Sequence, residues 1–156
     1  MFEHPAAEER LRRLQERLRR APRVTPQLIE RVLAEACPRL AALPSPDAAG
    51  RIRQLVDVGA WIEAAMAMID LELPAWKVRQ LTLDEGEWRC CLSQLWQLPD
   101  WLDDPIEAHN EALPIALLDA LVEARCRLAV SAENGRTTVP SVRLQQGYSV
   151  CCDDFA

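Results

Sequence analysis

The sequence predicts an α+β fold, mostly helical, with one central antiparallel β-hairpin at about residues 76–93 and a long buried helix at about 113–130. Three observations carry this prediction. Apolar residues alternate on both sides of Glu85-Gly86, the pattern of two strands joined by a tight turn. Leucines recur at three- and four-residue spacing before the hairpin, as an amphipathic helix requires. After it, an Ala/Leu-rich run is apolar on most faces, as a helix buried all round requires.

The elements follow in chain order. Residues 6–20 read as a helix through Leu11, Leu14 and Leu18, with Glu8–Arg12, Glu9–Arg13 and Glu16–Arg20 in the favourable i,i+4 order. Ala21-Pro22 ends it. Thr25 is placed to cap a second helix with Pro26 at its first position. Its apolar stripe is Leu28, Ile29, Val32, Leu33 and Ala36. Pro38 ends or kinks this helix, and a last helical piece runs to Leu43 before the Pro44-Ser45-Pro46 break. Residues 47–72 form a third helical region, with Ile52, Leu55 and Val56 in one stripe and Ile62, Ala65, Met66 and Ile69 in another. Gly59 between them predicts a kink or break.

In the hairpin, the register places Leu83 opposite Trp88, Leu81 opposite Cys90 and Arg79 opposite Leu92. Leu81, Leu83, Trp88, Cys90 and Leu92 then share the face expected to meet the helices. Val78, Gln80, Thr82, Arg89, Cys91 and Ser93 share the polar face. A lone hairpin is marginal in water, so helices or a further strand must support it. Residues 94–103 read as a loop. Asp104-Pro105-Ile106-Glu107 reads as a helix start, with Asp104 as N-cap and Glu107 placed for a capping box. Pro114 suits the first turn of the last helix, whose apolar positions are Leu117, Leu118, Leu121, Val122, Ala124, Cys126 and Leu128. The expected organisation is an N-terminal helical region (1–45), an α-ββ-α core (46–134) and an irregular tail (135–156) with a strand option around Thr138–Leu144, all within one domain.

The 156 residues, 49% apolar and 27% charged, suffice for a core without metal or disulfide staples. No apolar run approaches the roughly 18–20 residues of a membrane span. The first twenty residues carry charges where a signal peptide has its apolar stretch. The expected location is therefore the cytoplasm, with no membrane partner. Six Cys are present, among them the neighbours Cys90-Cys91 and Cys151-Cys152. Reduced thiols are the expectation there, because adjacent Cα atoms about 3.8 Å apart lie short of the usual disulfide span. The net charge of −6 is uneven: residues 1–83 carry 13 basic and 11 acidic groups, residues 84–156 carry 5 and 13.

The order helix, "ELPAWKVRQLTLDEGEWRCCLS" hairpin, "LPDWLDDPIEAHNEALP" loop and "ALLDALVEARCRLA" helix resembles a group of uncharacterised small bacterial proteins. It resembles more distantly the phage αβα-sandwich domain, where a Leu-Pro-x-Trp segment precedes a hairpin and an Ala/Leu-rich helix. Leu73-Pro74-Ala75-Trp76 and Leu118–Arg125 carry the likeness, which covers under half of the chain. Packing explains both segments, and no enzymatic activity follows from the resemblance.

No phosphate-loop, dinucleotide, zinc-protease, nucleophile-elbow or Cys-x-x-Cys motif occurs in the sequence, and no cofactor is expected. Three function classes stand. The first is a non-enzymatic protein-interaction or oligomerising domain, its partner a protein or a second copy. Trp96, Trp101, Leu98 and Leu102 form its candidate apolar patch, unless they fold back on the core. The second is a nucleic-acid accessory protein using Arg12, Arg13, Arg19 and Arg20 of the first helix, against which stands a helix solvated or docked on the chain's own acidic surface. The third is a metal site from Asp104, Glu107, His109 and Glu111, against which stands an acidic helix start beside a surface His. If residues 105–112 are helical, Glu107 and Glu111 share a face and His109 points about 200° away from both. The metal reading then needs a broken backbone at Asn110 or ligands from the hairpin turn, such as Asp84 or Glu87.

Overall fold

The computed structural model describes residues 7–42, 46–95 and 97–136 of the chain. Helix α1 (Ala7–Arg20) buries Leu11, Leu14, Leu18 and Gln15 and leaves its arginines outward. Helix α2 (Pro26–Ala36) starts as its sequence requires: the Thr25 hydroxyl accepts the Leu28 amide at 3.2 Å, satisfying one orphan N–H of the first turn. Helix α3 (Pro38–Ala42) follows directly. Its first amides, of Arg39 and Leu40, are capped at 3.2 and 2.6 Å by the carboxylate of Glu72, a charge favoured at a helix N-terminus.

Helices α4 (Pro46–Asp57) and α5 (Trp61–Glu72) are separated at Gly59, which has φ +75°, a conformation that glycine adopts without a Cβ penalty. In α5 the buried side is Ala64, Ala65, Met68 and Ile69. The expected stripe is thereby turned part-way round the helix, and Ile62 is left exposed.

Strands β1 (Lys77–Asp84) and β2 (Glu87–Ser93) form the expected hairpin. Glu85 and Gly86 both have positive φ, 51° and 81°, as a two-residue type I′ turn demands. The pairs Leu83–Trp88 and Leu81–Cys90 are as expected. The expected Arg79–Leu92 pair is corrected: a bulge at Arg79 lets Val78 face Leu92 instead and join the core. An extra residue in one strand shifts every later pair by one.

A larger correction concerns residues 106–110. They form a third strand, β3 (Ile106–Asn110), paired antiparallel with β2 in the order β1-β2-β3. The Asp104-Pro105 helix start does not form. Ile106 and Ala108 alternate inward, and β2 offers a second edge whose backbone groups need partners. A two-stranded ribbon lacks independent stability, and the third strand supplies it. The Asn110 side chain then accepts the Ala112 amide at 2.9 Å, turning the chain into α6 (Leu113–Arg136).

Helix α6 runs six residues past the expected end at 130 and is the centre of the molecule. Ile115, Leu117, Leu118, Leu121, Val122, Ala124 and Cys126 are buried on it. It lies against β2 and β3 on one side and against α1, α2 and α5 on others. One apolar cluster takes in residues from α1 through α6. Residues 137–156, including the expected strand option at 138–144, lie outside the described residues.

Candidate functional site

The helical layer does not cover the whole sheet. The face carrying Leu81, Leu83, Trp88, Cys90, Leu92, Ile106 and Ala108 is set by the pairing of the three strands. Cys90, Leu92, Ile106 and Ala108 are buried on it, and Val78 and Trp88 pack at its margin. Helix α6 rests on β2 and β3, and β1 overhangs. As a result Leu83 is 57% exposed and Leu81 37%, which corrects the expectation that both meet the helices.

Among the described residues β1 is also an edge strand. Its two-residue turn makes Asp84–Glu87 a hydrogen-bonded pair, so hydrogen-bonded and non-bonded pairs alternate from there. Thr82 and Gln80 direct their backbone groups toward β2. Leu81 and Leu83 direct theirs outward, to the open side. The first half of β1 is blunted by the Arg79 bulge and by the loop that follows β2. Arg79 donates to the Asp103 carboxylate at 2.9 Å and to the Leu98 carbonyl at 3.1 Å. The usable edge is therefore Gln80–Asp84.

The loop bearing the expected patch is anchored by Asp103, whose side chain is 2% exposed. It accepts from the Ser93 hydroxyl and from Arg79. The Ser93 hydrogen bond, with the Arg79 guanidinium, holds its carboxyl below the ordinary value against the opposing effect of burial. Trp101, in a 3-10 turn at Asp100–Leu102, is 79% exposed. Leu95, Leu98 and Leu102 are exposed with it. Trp96 lies outside the described residues. At the base of the loop, Arg127 of α6 reaches the Asp104 carbonyl at 3.1 Å and its carboxylate at 3.3 Å. Trp76 is buried at the helix-to-strand corner, and its indole N–H has no hydrogen-bond partner among the described residues.

Three of the six arginines of α1 are paired with acidic groups of the chain. Arg12 donates to Glu123 at 2.8 Å, Arg19 to Asp119 at 3.1 Å, and Arg13 pairs with Glu9. Between the helices, the buried Gln15 amide donates to both Asp119 and Glu123 at 2.8 Å. Burial would raise the Glu123 carboxyl, but the Gln15 hydrogen bond and the Arg12 charge outweigh it and hold it low. Arg20 lies with Arg19 in an open polar cleft beside the hairpin turn, shared with Glu85, Glu87, His109 and Glu111.

The strand at 106–110 also rearranges the metal candidates. Glu107 and His109 are now two residues apart on one strand face, with His109 Nε2 3.9 Å from the Glu107 carboxylate. Asp104 points to solvent, its side chain 95% exposed. Among the described residues no group of three or more His, Cys, Asp or Glu is placed to hold a metal ion.

Sequence reasoning passed over Gln15, Glu72 and Asp119. Asp119 carried a usable signal: it is a lone acid within the apolar run Leu117–Val122, where a carboxylate needs a partner. Glu72 carried none, because its role as the α3 cap arises only when α5 and α3 pack together. No protein-family model matches the chain, and neither a curated protein nor a solved structure shows significant similarity to it.

Proposed function

We propose that this chain is a non-enzymatic protein-interaction domain that takes an extended strand of a protein partner onto the β1 edge of its sheet. The single observation that carries this reading is the half of β1 that no described element covers. Leu81 and Leu83 present apolar side chains on one face and outward-directed backbone groups on the same residues. An exposed apolar edge strand is a template for pairing, and strand addition uses main-chain bonds for affinity and alternate side chains for specificity. The pairing of Arg12, Arg13 and Arg19 with acidic groups of the chain weighs against the alternative, in which these three and Arg20 meet phosphates.

Amide hydrogen exchange on the full chain tests this reading. At dilution, the Leu81 and Leu83 amides exchange far faster than those of Thr82 and Asp84, which bond to β2. Equal protection of all four in a dilute monomer would mean that the edge is covered within the chain, and the proposal would fall.

A further inference from the structure

We infer that the strand taken up by β1 is β1 of a second copy of this chain, antiparallel to the first about a twofold axis at Thr82. This rests on the interaction reading above and names its partner. A twofold axis through the sheet at Thr82 sets Leu81 opposite Leu83 of the second copy, Gln80 opposite Asp84, and Thr82 opposite itself. Leu81 and Leu83 are the residues whose N–H and C=O face outward, so each Leu81–Leu83 pair exchanges both hydrogen bonds, as an antiparallel ladder requires. The leucines of both copies meet on one face, beside Trp88, which lies opposite Leu83 in the hairpin. On the other face Thr82 meets Thr82, a favourable cross-strand pair.

Neighbouring registers do worse. A slip by two residues one way sets Leu83 against Arg79, which sits in the bulge and is held by Asp103. The opposite slip sets Leu81 against Glu85 in the turn. Both strand an exposed leucine opposite a charged residue. Charge favours the antiparallel sense as well. Lys77 opens β1, while Asp84, Glu85 and Glu87 close it and begin β2. Antiparallel pairing lays the basic end of each copy along the acidic turn of the other. Like charges would meet in a parallel arrangement. The two three-stranded sheets become one continuous six-stranded sheet, and an isologous contact of this kind closes on itself without leading to a filament.

The test is a register-specific cross-link. Thr82→Cys is made in a chain whose Cys151 and Cys152 are replaced by Ser, leaving the buried thiols of Cys37, Cys90, Cys91 and Cys126. Across a non-hydrogen-bonded pair the Cα atoms lie about 4.5 Å apart, within disulfide reach. Mild oxidation is expected to give a covalent dimer, reversible by reductant. Arg89→Cys, on the neighbouring strand and the same face, gives none. Light scattering of the unmodified chain should show a twofold rise in mass from 17.6 kDa with concentration, lost in Leu83→Lys with an unchanged circular dichroism spectrum. A dimer that Thr82→Cys fails to cross-link overturns the inference. So does a monomer at all concentrations with fast-exchanging Leu81 and Leu83 amides, which leaves the interaction reading standing. A monomer with those amides protected overturns both.

Discussion

Replacing Gln15 with Leu removes the buried member of the polar contacts between α1 and α6. Gln15 is buried between the helices, and its amide donates to Asp119 and Glu123 at 2.8 Å each. Glu123 keeps Arg12 at 2.8 Å and some access to water, so its loss is small. Asp119 is 1% exposed. It would keep only the Arg19 contact at 3.1 Å, with one oxygen left buried and unpaired. A lost hydrogen bond to a buried charge costs about 2–3 kcal/mol, and Leu returns little of that because Gln15 already fills the space. Urea denaturation of Gln15→Leu should therefore show a lower midpoint at an unchanged slope, or a melting temperature lower by roughly 4–12 °C for a chain of this size. The double variant Gln15→Leu/Asp119→Leu removes both partners and leaves Arg19 in solvent, where it is already half exposed. It should recover to within about 1 kcal/mol of the original chain. A cost below about 0.5 kcal/mol for Gln15→Leu, or strict additivity in the cycle, would refute the reasoning.

Other outcomes follow from individual groups. The folded Asp103 carboxyl is held below its ordinary value, so its contribution to stability is complete above about pH 4. It is lost as the pH falls through the depressed value, and Asp103→Asn should flatten this part of the acid unfolding curve. Burial pushes the Cys37 and Cys90 thiols up to about 12 and the Cys126 thiol to about 11. Alkylation at pH 8 followed by peptide mass spectrometry should therefore find all three unmodified in the native chain and modified after unfolding. Glu85 sits at φ 51° in the type I′ turn, where Asn is better suited. Glu85→Asn should raise stability by about 0.5–1 kcal/mol, read by the same urea titration.

Patterns that act within a few residues are legible in the sequence. The α1 leucine spacing, the Thr25-Pro26 start of α2, the Gly59 break and the Glu85-Gly86 turn all depend on local backbone preference and side-chain period. Each appears where its residues require it. The segment 104–110 shows where that legibility ends. Asp104-Pro105 is a sound local helix signal, yet the vacant second edge of β2 overrides it through backbone pairing across the sheet. The candidate surface was legible only in part. Trp101, Leu98 and Leu102 are exposed, where their sequence left exposure and folding back on the core equally open, while the exposure of Leu81 and Leu83 opposes their alternation pattern.

Sequence by itself determined α1, the start of α2, the Gly59 break, the hairpin turn and the alternation of its strands, because those follow from periodicity and from what proline, glycine and threonine permit locally. Tertiary structure alone decided which apolar face is covered. Helix α6 spans β2 and β3 and stops short of β1, so identical alternation ends in the core at Leu92 and in the open at Leu83. It also decided that Arg12 and Arg19, at the exposed margin of α1, pair with Glu123 and Asp119 of α6. Burial and charge pairing depend on which element lies across from a residue, and neighbours more than a hundred positions apart leave no mark in local spacing.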